Sequence, residues 1–398
     1  MVVGLALSTL VFITYGCPAI VSFSLLRGPV PMIRNAVLDD LDQLQALENI
    51  CFITDRLSRR QLRYLLTKGK ASLLVIEDAA APQLIGYVAV LFSKATSMAR
   101  LYSIAVHPEM QGKGIGNRLM QAAEDAAWEH QRAYMRAEVR KDNKASLAMF
   151  ERLGYRRIGE WHDYYEDHMD AWRLEKRLHP DVSPQLSDVP YYQQTLDFTC
   201  GPAALMMAMH ALDPALSMER TLELRLWREA TTIFMTSGHG GCGPYGLALA
   251  AASRGFEVEV YVNDTGILLA ETVRSDDKRE VMRLVQEEML EELEHYHVPI
   301  HHGALSLEEI KARLSDGRLV LVLISSWMIY GELEPHWVVM TGFDDYFVYM
   351  HDPFVDEPLG ETPSDSINMP IQKDQFVRMS RYGKAGLKAA IVLSRRTE

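Results

Sequence analysis

A proline-punctuated break, His179-Pro180-Asp181-Val182-Ser183-Pro184, divides the 398-residue chain into two stretches of different texture. Proline interrupts both helix and central strand, and no hydrophobic period crosses this segment. A chain of this length exceeds what one hydrophobic core ordinarily serves. Residues 179–189 therefore read as a linker between two domains, 32–178 and 190–398.

Upstream of the break, helical periods alternate with strand-like runs. Asp39-Asp40 open a helix through Leu41, Leu44, Leu47 and Ile50, and a second helix runs near Arg59 to Lys68. Strands are expected at Ser72–Ile76, Ile85–Phe92, Arg100–Val106 and Tyr134–Val139, with helices at Gly114–His130 and Asn143–Leu153. This alternation predicts an α/β domain with a mixed sheet. Downstream, a long apolar helix begins at Cys200, and helical regions follow near Met218–Thr232 and Lys278–Tyr296. The β runs Leu319–Ile324, Trp337–Thr341 and Tyr346–Tyr349 come late. Helices first and strands last predict an α+β second domain.

Hydrophobic residues at 48% supply both cores, and the net charge of −12 argues against general nucleic-acid binding, which needs a basic footprint. The cysteines Cys17, Cys51, Cys200 and Cys242 form no CxxC pair, so neither a disulfide framework nor a cysteine zinc site is expected. The histidines His295, His297, His301 and His302 lack a completing carboxylate or thiol at a recognised spacing, and no metal is assigned. Met1–Leu26 carries no charge and is long enough to span a bilayer. It has no basic n-region, so a cleaved signal is not expected. Arg27 and Arg34 would keep the remainder cytoplasmic. Residues 1–31 are either an inner-membrane tether or an extension outside the fold.

Two constellations carry chemistry. The first is Gln111-Gly112-Lys113-Gly114-Ile115-Gly116, between a strand and a helix. Glycines let backbone approach a phosphate, and the helix start offers unpaired N–H groups and a positive dipole end. Asn117 stands where a dinucleotide fold needs its third glycine, and the Gly-Lys-Ser/Thr ending of a P-loop is missing. The second is Gln194 followed six residues later by Cys200-Gly201-Pro202. A thiol at a helix N-terminus is favoured as thiolate, and the Gln194 amide with the Cys200 N–H could form an oxyanion hole. His336 opens an apolar strand, and Asp352 closes the next one. An antiparallel pair brings them together as base and orienting carboxylate.

Gln111, Gly114 and Gly116 satisfy the pattern Gln/Arg-x-x-Gly-x-Gly/Ala, so the segment resembles the acetyl-CoA pyrophosphate loop of GNAT N-acetyltransferases over about Met32–Arg177. Ile104-Ala105-Val106-His107-Pro108 is similar to that family's bulged strand, whose backbone pairs with pantetheine. Ala137-Glu138-Val139-Arg140 and Asn143–Tyr155 resemble the branch that acetylates the alanine N-terminus of a ribosomal protein. The resemblance implies acetyl-CoA as co-substrate, with Ile104, Ala105, Val106, the loop residues Gln111, Gly112, Lys113, Gly114, Ile115 and Gly116, and Asn143 on the cofactor side. It implies Glu138 as the base that deprotonates the amine. Phe150 stands where the branch has an acidic tyrosine. A phenyl ring donates no proton, which leaves water, Tyr155 or no acid at all.

The set Gln194, Cys200, His336, Asp352 and its chain order resemble the papain-like peptidases that trim double-glycine leader peptides from bacteriocin precursors, over about Pro190–Ser394. The resemblance implies peptide hydrolysis through a thioester on Cys200. His351 competes with His336 as base, and Asp345 with Asp352 as orienter. The chain thus reads as a bifunctional enzyme, an N-acetyltransferase and cysteine peptidase acting on peptides or protein termini. The alternative is a peptide-binding, acyl-CoA-sensing protein with one or both domains inert.

Overall fold

The computed structural model describes residues 31–78, 81–92, 95–179, 182–231, 240–271, 273–357 and 361–395. The apolar run Met1–Leu26 lies outside them. Among the described residues, no helix is long and apolar enough to cross a membrane.

The first domain runs β1 (Ile33–Asn35), α1 (Leu41–Cys51), α2 (Arg59–Thr67), β2 (Ala71–Glu77), β3 (Leu84–Phe92), β4 (Met98–Val106), α3 (Ile115–Glu129), β5 (Tyr134–Arg140), α4 (Lys144–Arg152), β6 (Arg156–Trp161) and β7 (Ala171–Arg177). They form one sheet of order β1-β2-β3-β4-β5-β7-β6. Among the described strands of this sheet, only β4 and β5 pair in parallel. Strand alternation sorts the faces. Leu73, Val75, Tyr87 and Ala89 pack with α1 and α2, while Leu74, Ile76, Val88 and Val90 pack with α3. Ser58 starts α2 with a reciprocal cap, exchanging hydrogen bonds with Gln61.

The second domain contains β8 (Gln185–Leu186), α5 (Cys200–Leu212), α6 (Arg220–Ala230), α7 (Pro244–Ala252), β9 (Glu257–Val262), α8 (Asp276–His295), β10 (Ile300–His302), α9 (Leu307–Ser315), β11 (Leu319–Ser325), α10 (Trp327–Tyr330), β12 (Pro335–Phe343), β13 (Phe347–His351), α11 (Pro363–Ser366), β14 (Met369–Gln372), α12 (Lys373–Met379) and β15 (Ala389–Ser394). Its sheet has the order β10-β9-β15-β11-β12-β13-β14, and β8 pairs with β12. Helix α5 is buried from Gly201 to Met209, as expected of a helix apolar all round. The segment expected as a linker is tied to this sheet. Gln185 and Leu186 pair with Phe343 and Gly342, and Val182 is buried beside Tyr134, Phe347 and Tyr349. Strand pairing, which a short polar stretch does not announce, converts it into an edge of the second domain.

The two domains meet through charge. Register places Arg100 opposite Arg136, Arg136 opposite Glu175 and Glu138 opposite Arg173. Arg136 pairs with Glu175 at 2.8 Å and donates Nη1 to the carbonyls of Ser364 at 2.5 Å and Ile367 at 2.6 Å. Arg173 Nε and the Trp161 indole both donate to Ser364 Oγ at 3.0 Å. Arg100 reaches Asp365 at 3.3 Å. The second domain thus seats α11 in an arginine cradle of the first. Removing a buried, paired cation strands its acceptors, at a cost of about 3 kcal/mol or more. We expect Arg136→Ala to lower the melting midpoint by roughly 6 °C in thermal unfolding followed by tryptophan fluorescence. Arg136→Lys should recover only part of the loss, since an ammonium lacks the fork. An unchanged midpoint in both variants would refute the cradle's role.

Candidate active sites

The glycine loop owes its shape to backbone geometry. Gly112 and Gly114 have φ of +73° and +79°, where a side chain is strained. Gly114 is the left-handed N-cap of α3, so the helix start faces the loop. Gln111 Nε2 donates to the Val106 carbonyl at 3.3 Å, Ile115 is buried, and a Cβ on Gly116 would stand 3.0 Å from Met149 Sδ. The neighbouring strands are splayed. The β4–β5 ladder covers Met98–Leu101 against Tyr134–Ala137, and β4 then carries a bulge at Tyr102 against Ala89 and Val90. Ile104, Ala105 and Val106 lie beyond that ladder. A glycine cradle at a helix start beside a splayed strand fits a pyrophosphate with an extended arm. Lys113 stands in the same loop, its Nζ against Met110 Sδ at 3.4 Å. Asn143 caps α4, its Oδ1 accepting from Ser146 N at 3.0 Å.

Glu138 does not stand free in this domain. Its Oε2 pairs with Arg100 Nε at 3.1 Å, with both side chains almost wholly buried. Arg100 also donates to Tyr164 Oη at 2.9 Å. Burial opposes the Arg100 charge, but Glu138 and Asp365 overcome it and hold the guanidinium protonated. Phe150 is buried, packed edge-on against the Tyr155 ring at 5.0 Å. The Tyr155 hydroxyl is buried too, and burial followed by the nearby Glu124 charge pushes its pKa well up. A hydroxyl so placed sits in the core beneath α3 and α4.

In the second domain, four elements converge. Cys200 is the first residue of α5. Small neighbours let this helix reach β12: a Cβ on Gly201 would lie 3.1 Å from Leu247, 3.2 Å from Trp337 and 3.3 Å from Cys242. His336 is the second residue of β12, and Asp352 directly follows β13. His336 Nε2 meets Asp352 Oδ1 at 2.6 Å, which leaves Nδ1 for the thiol. Burial would lower the His336 pKa, but the Asp352 carboxylate and then Cys200, through charge and hydrogen bonding, raise it well above the usual imidazole range. Asp352 is fully buried, and also accepts from Phe354 N and the Tyr330 hydroxyl, each at 2.9 Å.

The Gln194 main chain donates to the Pro353 carbonyl at 2.8 Å, which ties it to the same corner. Its side-chain amide donates to the Leu196 carbonyl at 2.9 Å, and Oε1 is buried without a partner. Among the described contacts the amide therefore meets Leu196 rather than Cys200. The competitors are placed elsewhere. His351 has both nitrogens occupied, Nε2 by the Val189 carbonyl and Nδ1 by Asn368 N, and burial holds its pKa at about 4. Asp345 lies in the turn between β12 and β13, away from the strand ends that carry His336 and Asp352. Cys242 is buried, which pushes its thiol pKa well up, and its carbonyl accepts from the Trp337 indole at 2.9 Å.

Tyr330 and Arg100 were not marked by sequence. Tyr330 sits on the four-residue α10 in no recognisable spacing to Asp352. Arg100 carried a signal, a lone cation inside an apolar strand.

The fold and the two sites define a GNAT domain joined to a domain with a cysteine-peptidase arrangement. Residues 189–394 match the profile of the Peptidase_C39 like family. The chain belongs to that family. Residues 38–155 match the Acetyltransferase (GNAT) family, whose acetyltransferases use acetyl-CoA as co-substrate. The chain is 35% identical over 77 residues to the N-alpha-acetyltransferase RimI of Mycobacterium tuberculosis, a match covering 19% of this chain and 47% of that protein. It thus spans about half the length of that relative. It is 27% identical over 135 residues to a putative ribosomal protein bS18 alanine N-acetyltransferase of Bacillus subtilis, covering 34% and 87%. Among solved structures, the ribosomal-protein-S18-alanine N-acetyltransferase of Escherichia coli aligns with a TM-score of 0.34 at 19% identity, covering 39% of this chain and 99% of that one.

Because Asp352 raises the His336 pKa, imidazolium persists to higher pH, and an activity needing it declines only as pH climbs past that raised value. Asp352→Asn removes the charge, so the His336 imidazolium should lose its proton at lower pH in an NMR titration of the side chain. An unmoved titration would remove Asp352 from the orienting role.

Proposed function

We propose that the chain is a bifunctional enzyme: a cysteine peptidase at Cys200, His336 and Asp352, and an acetyl-CoA-dependent N-acetyltransferase acting on a peptide or protein amine. The observation that carries the peptidase reading is the short His336–Asp352 bond at an imidazole whose protonated form Cys200 also favours through charge and a hydrogen bond. In this reading the Cys200 thiolate attacks a peptide carbonyl, and His336 protonates the departing amine. Water then hydrolyses the thioester with His336 as base. The first-turn N–H groups of α5 and the second N–H of the Gln194 amide, the first being held by the Leu196 carbonyl, would stabilise the oxyanion.

The acetyltransferase reading rests on the glycine cradle before α3 and on the activities of the relatives. Glu138 would take the amine proton, and the residues Ile104–Val106, Gln111–Gly116 and Asn143 would hold acetyl-CoA. The two activities make one sequence of events: hydrolysis exposes a new α-amine, which the first domain caps.

A second reading has a specific observation behind it. Glu138 is paired with Arg100, which also holds Asp365 of the second domain. Such a carboxylate suits an acyl-CoA sensor as well as a base. Acetyl-CoA binding by calorimetry, alongside thiol release from acetyl-CoA with a peptide pool, separates the two. The enzyme reading expects turnover that Glu138→Gln lowers at least ~100-fold with binding retained. Binding without turnover establishes the sensor. For the second domain, a thiol-directed peptide probe should label wild type at Cys200. Cys200→Ala and His336→Ala should reduce peptide hydrolysis ~1,000-fold or more. Undiminished hydrolysis in Cys200→Ala would end the peptidase reading.

A further inference from the structure

We infer that Glu223 is a positioning residue of the Cys200 site, holding the segment 192–199 so that the start of α5 stays open to an oxyanion. The inference rests on the peptidase reading. Glu223 lies on α6 and is fully buried. Its Oε1 accepts from Thr195 N at 2.8 Å and Thr199 Oγ1 at 2.5 Å. Its Oε2 accepts from Thr195 Oγ1 at 2.7 Å and the Tyr192 hydroxyl at 2.9 Å. A buried carboxylate is tolerated only when its lone pairs are satisfied. Here four donors do so, all from three residues of one segment.

That segment has no helix or strand of its own, yet it carries Gln194 and ends one residue before Cys200. Three further bonds within the segment converge on a single carbonyl. Leu196 O accepts from Gln194 Nε2 at 2.9 Å, Thr199 Oγ1 at 2.8 Å and Thr199 N at 3.1 Å. Thr199 is the N-cap of α5, where a threonine ordinarily turns its oxygen onto a first-turn N–H. It makes no such bond. Its single hydroxyl proton is shared instead between Glu223 and the Leu196 carbonyl. The N-terminal N–H groups of α5, Cys200 included, are thereby left without the side-chain cap that would compete with an anionic intermediate. The hydrogen bonds of Glu223 go to Tyr192, Thr195 and Thr199 rather than to Cys200, His336 or Asp352, so it acts through Thr199 and the Gln194 segment.

Two reactions at Cys200 separate this role from general support of the fold. Iodoacetamide alkylation displaces iodide from a saturated carbon and forms no oxyanion. Acetylation by p-nitrophenyl acetate passes through a tetrahedral oxyanion: the thiolate adds to the carbonyl carbon, p-nitrophenolate leaves, and an acetyl thioester remains. Both rates are measured on the full chain, with the Cys200→Ala protein as the baseline for other thiols.

Glu223→Ala should slow acetylation at least ~10-fold and alkylation less than about 2-fold, a positioning loss smaller than the ~100- to 1,000-fold of deleting an oxyanion donor outright. Thr199→Val loosens the segment but also removes the hydroxyl that could cap α5, so it should shift the ratio in the same direction by less. Glu223→Gln, which keeps one acceptor oxygen, should fall between wild type and Glu223→Ala. The double variant Glu223→Ala, Gln194→Ala should lose no more than the worse single variant, because both act on one hole. Equal losses in both reactions, no loss in either, or additive losses would each overturn the inference. If Glu223→Ala does not fold, Glu223→Gln and Thr199→Val decide it by the same ratio. Should wild type react no faster than Cys200→Ala with either reagent, the peptidase reading itself fails and this inference falls with it.

Discussion

The second domain turns on one carboxylate withdrawn from water. Asp352 could not be buried as an anion unless its oxygens were satisfied, and three donors meet that demand: His336, Tyr330 and the Phe354 amide. Each donor comes from a different place in the chain, so satisfying the charge assembles the site. Tyr330 fixes α10 beside β12, while Phe354 fixes the turn after β13. The imidazole is left with one oriented nitrogen for the thiol. The charge also reaches back to Cys200 by keeping the imidazole protonated.

The same corner is where the domains lock together. The Asp352 amide donates to the Ser366 carbonyl at 2.9 Å, and Ser366 Oγ donates to the Phe354 carbonyl at 2.9 Å. Ser366 ends α11, which the arginine cradle of the first domain receives. A short run of bonds therefore links Asp352 to Asp365, and Asp365 to Arg100 and Glu138. Spatial continuity of this kind is not evidence of signalling between sites. Its consequence is mechanical: the first domain's sheet face helps to set the backbone on which the second domain's carboxylate stands.

Much of this was legible in the residues. Period-2 and period-3.6 patterns placed β2–β5, α1–α4, α5 and α8 within a few residues, because those elements bury one face or all faces of apolar side chains. Gly112 and Gly114 were legible because positive φ selects glycine. Cys200, His336 and Asp352 were legible as residue types at strand and helix ends. Helix α9 and strands β9 and β15 escaped notice. Strand pairing in the 179–189 segment escaped too, because two residues of edge strand leave no pattern.

Local chemistry by itself determined the elements, the glycine loop and the residue types that could do nucleophilic work, since each depends on neighbours within one turn or one strand. What only the tertiary structure decided was the company each charge keeps. Glu138 is bound by Arg100 and Glu223 by three segment residues, while His351 is spent on backbone and His336 is left to the thiol. Electrostatic and hydrogen-bond partners are set by distance in space, and burial decides how strongly they act. Neither quantity is written along the chain.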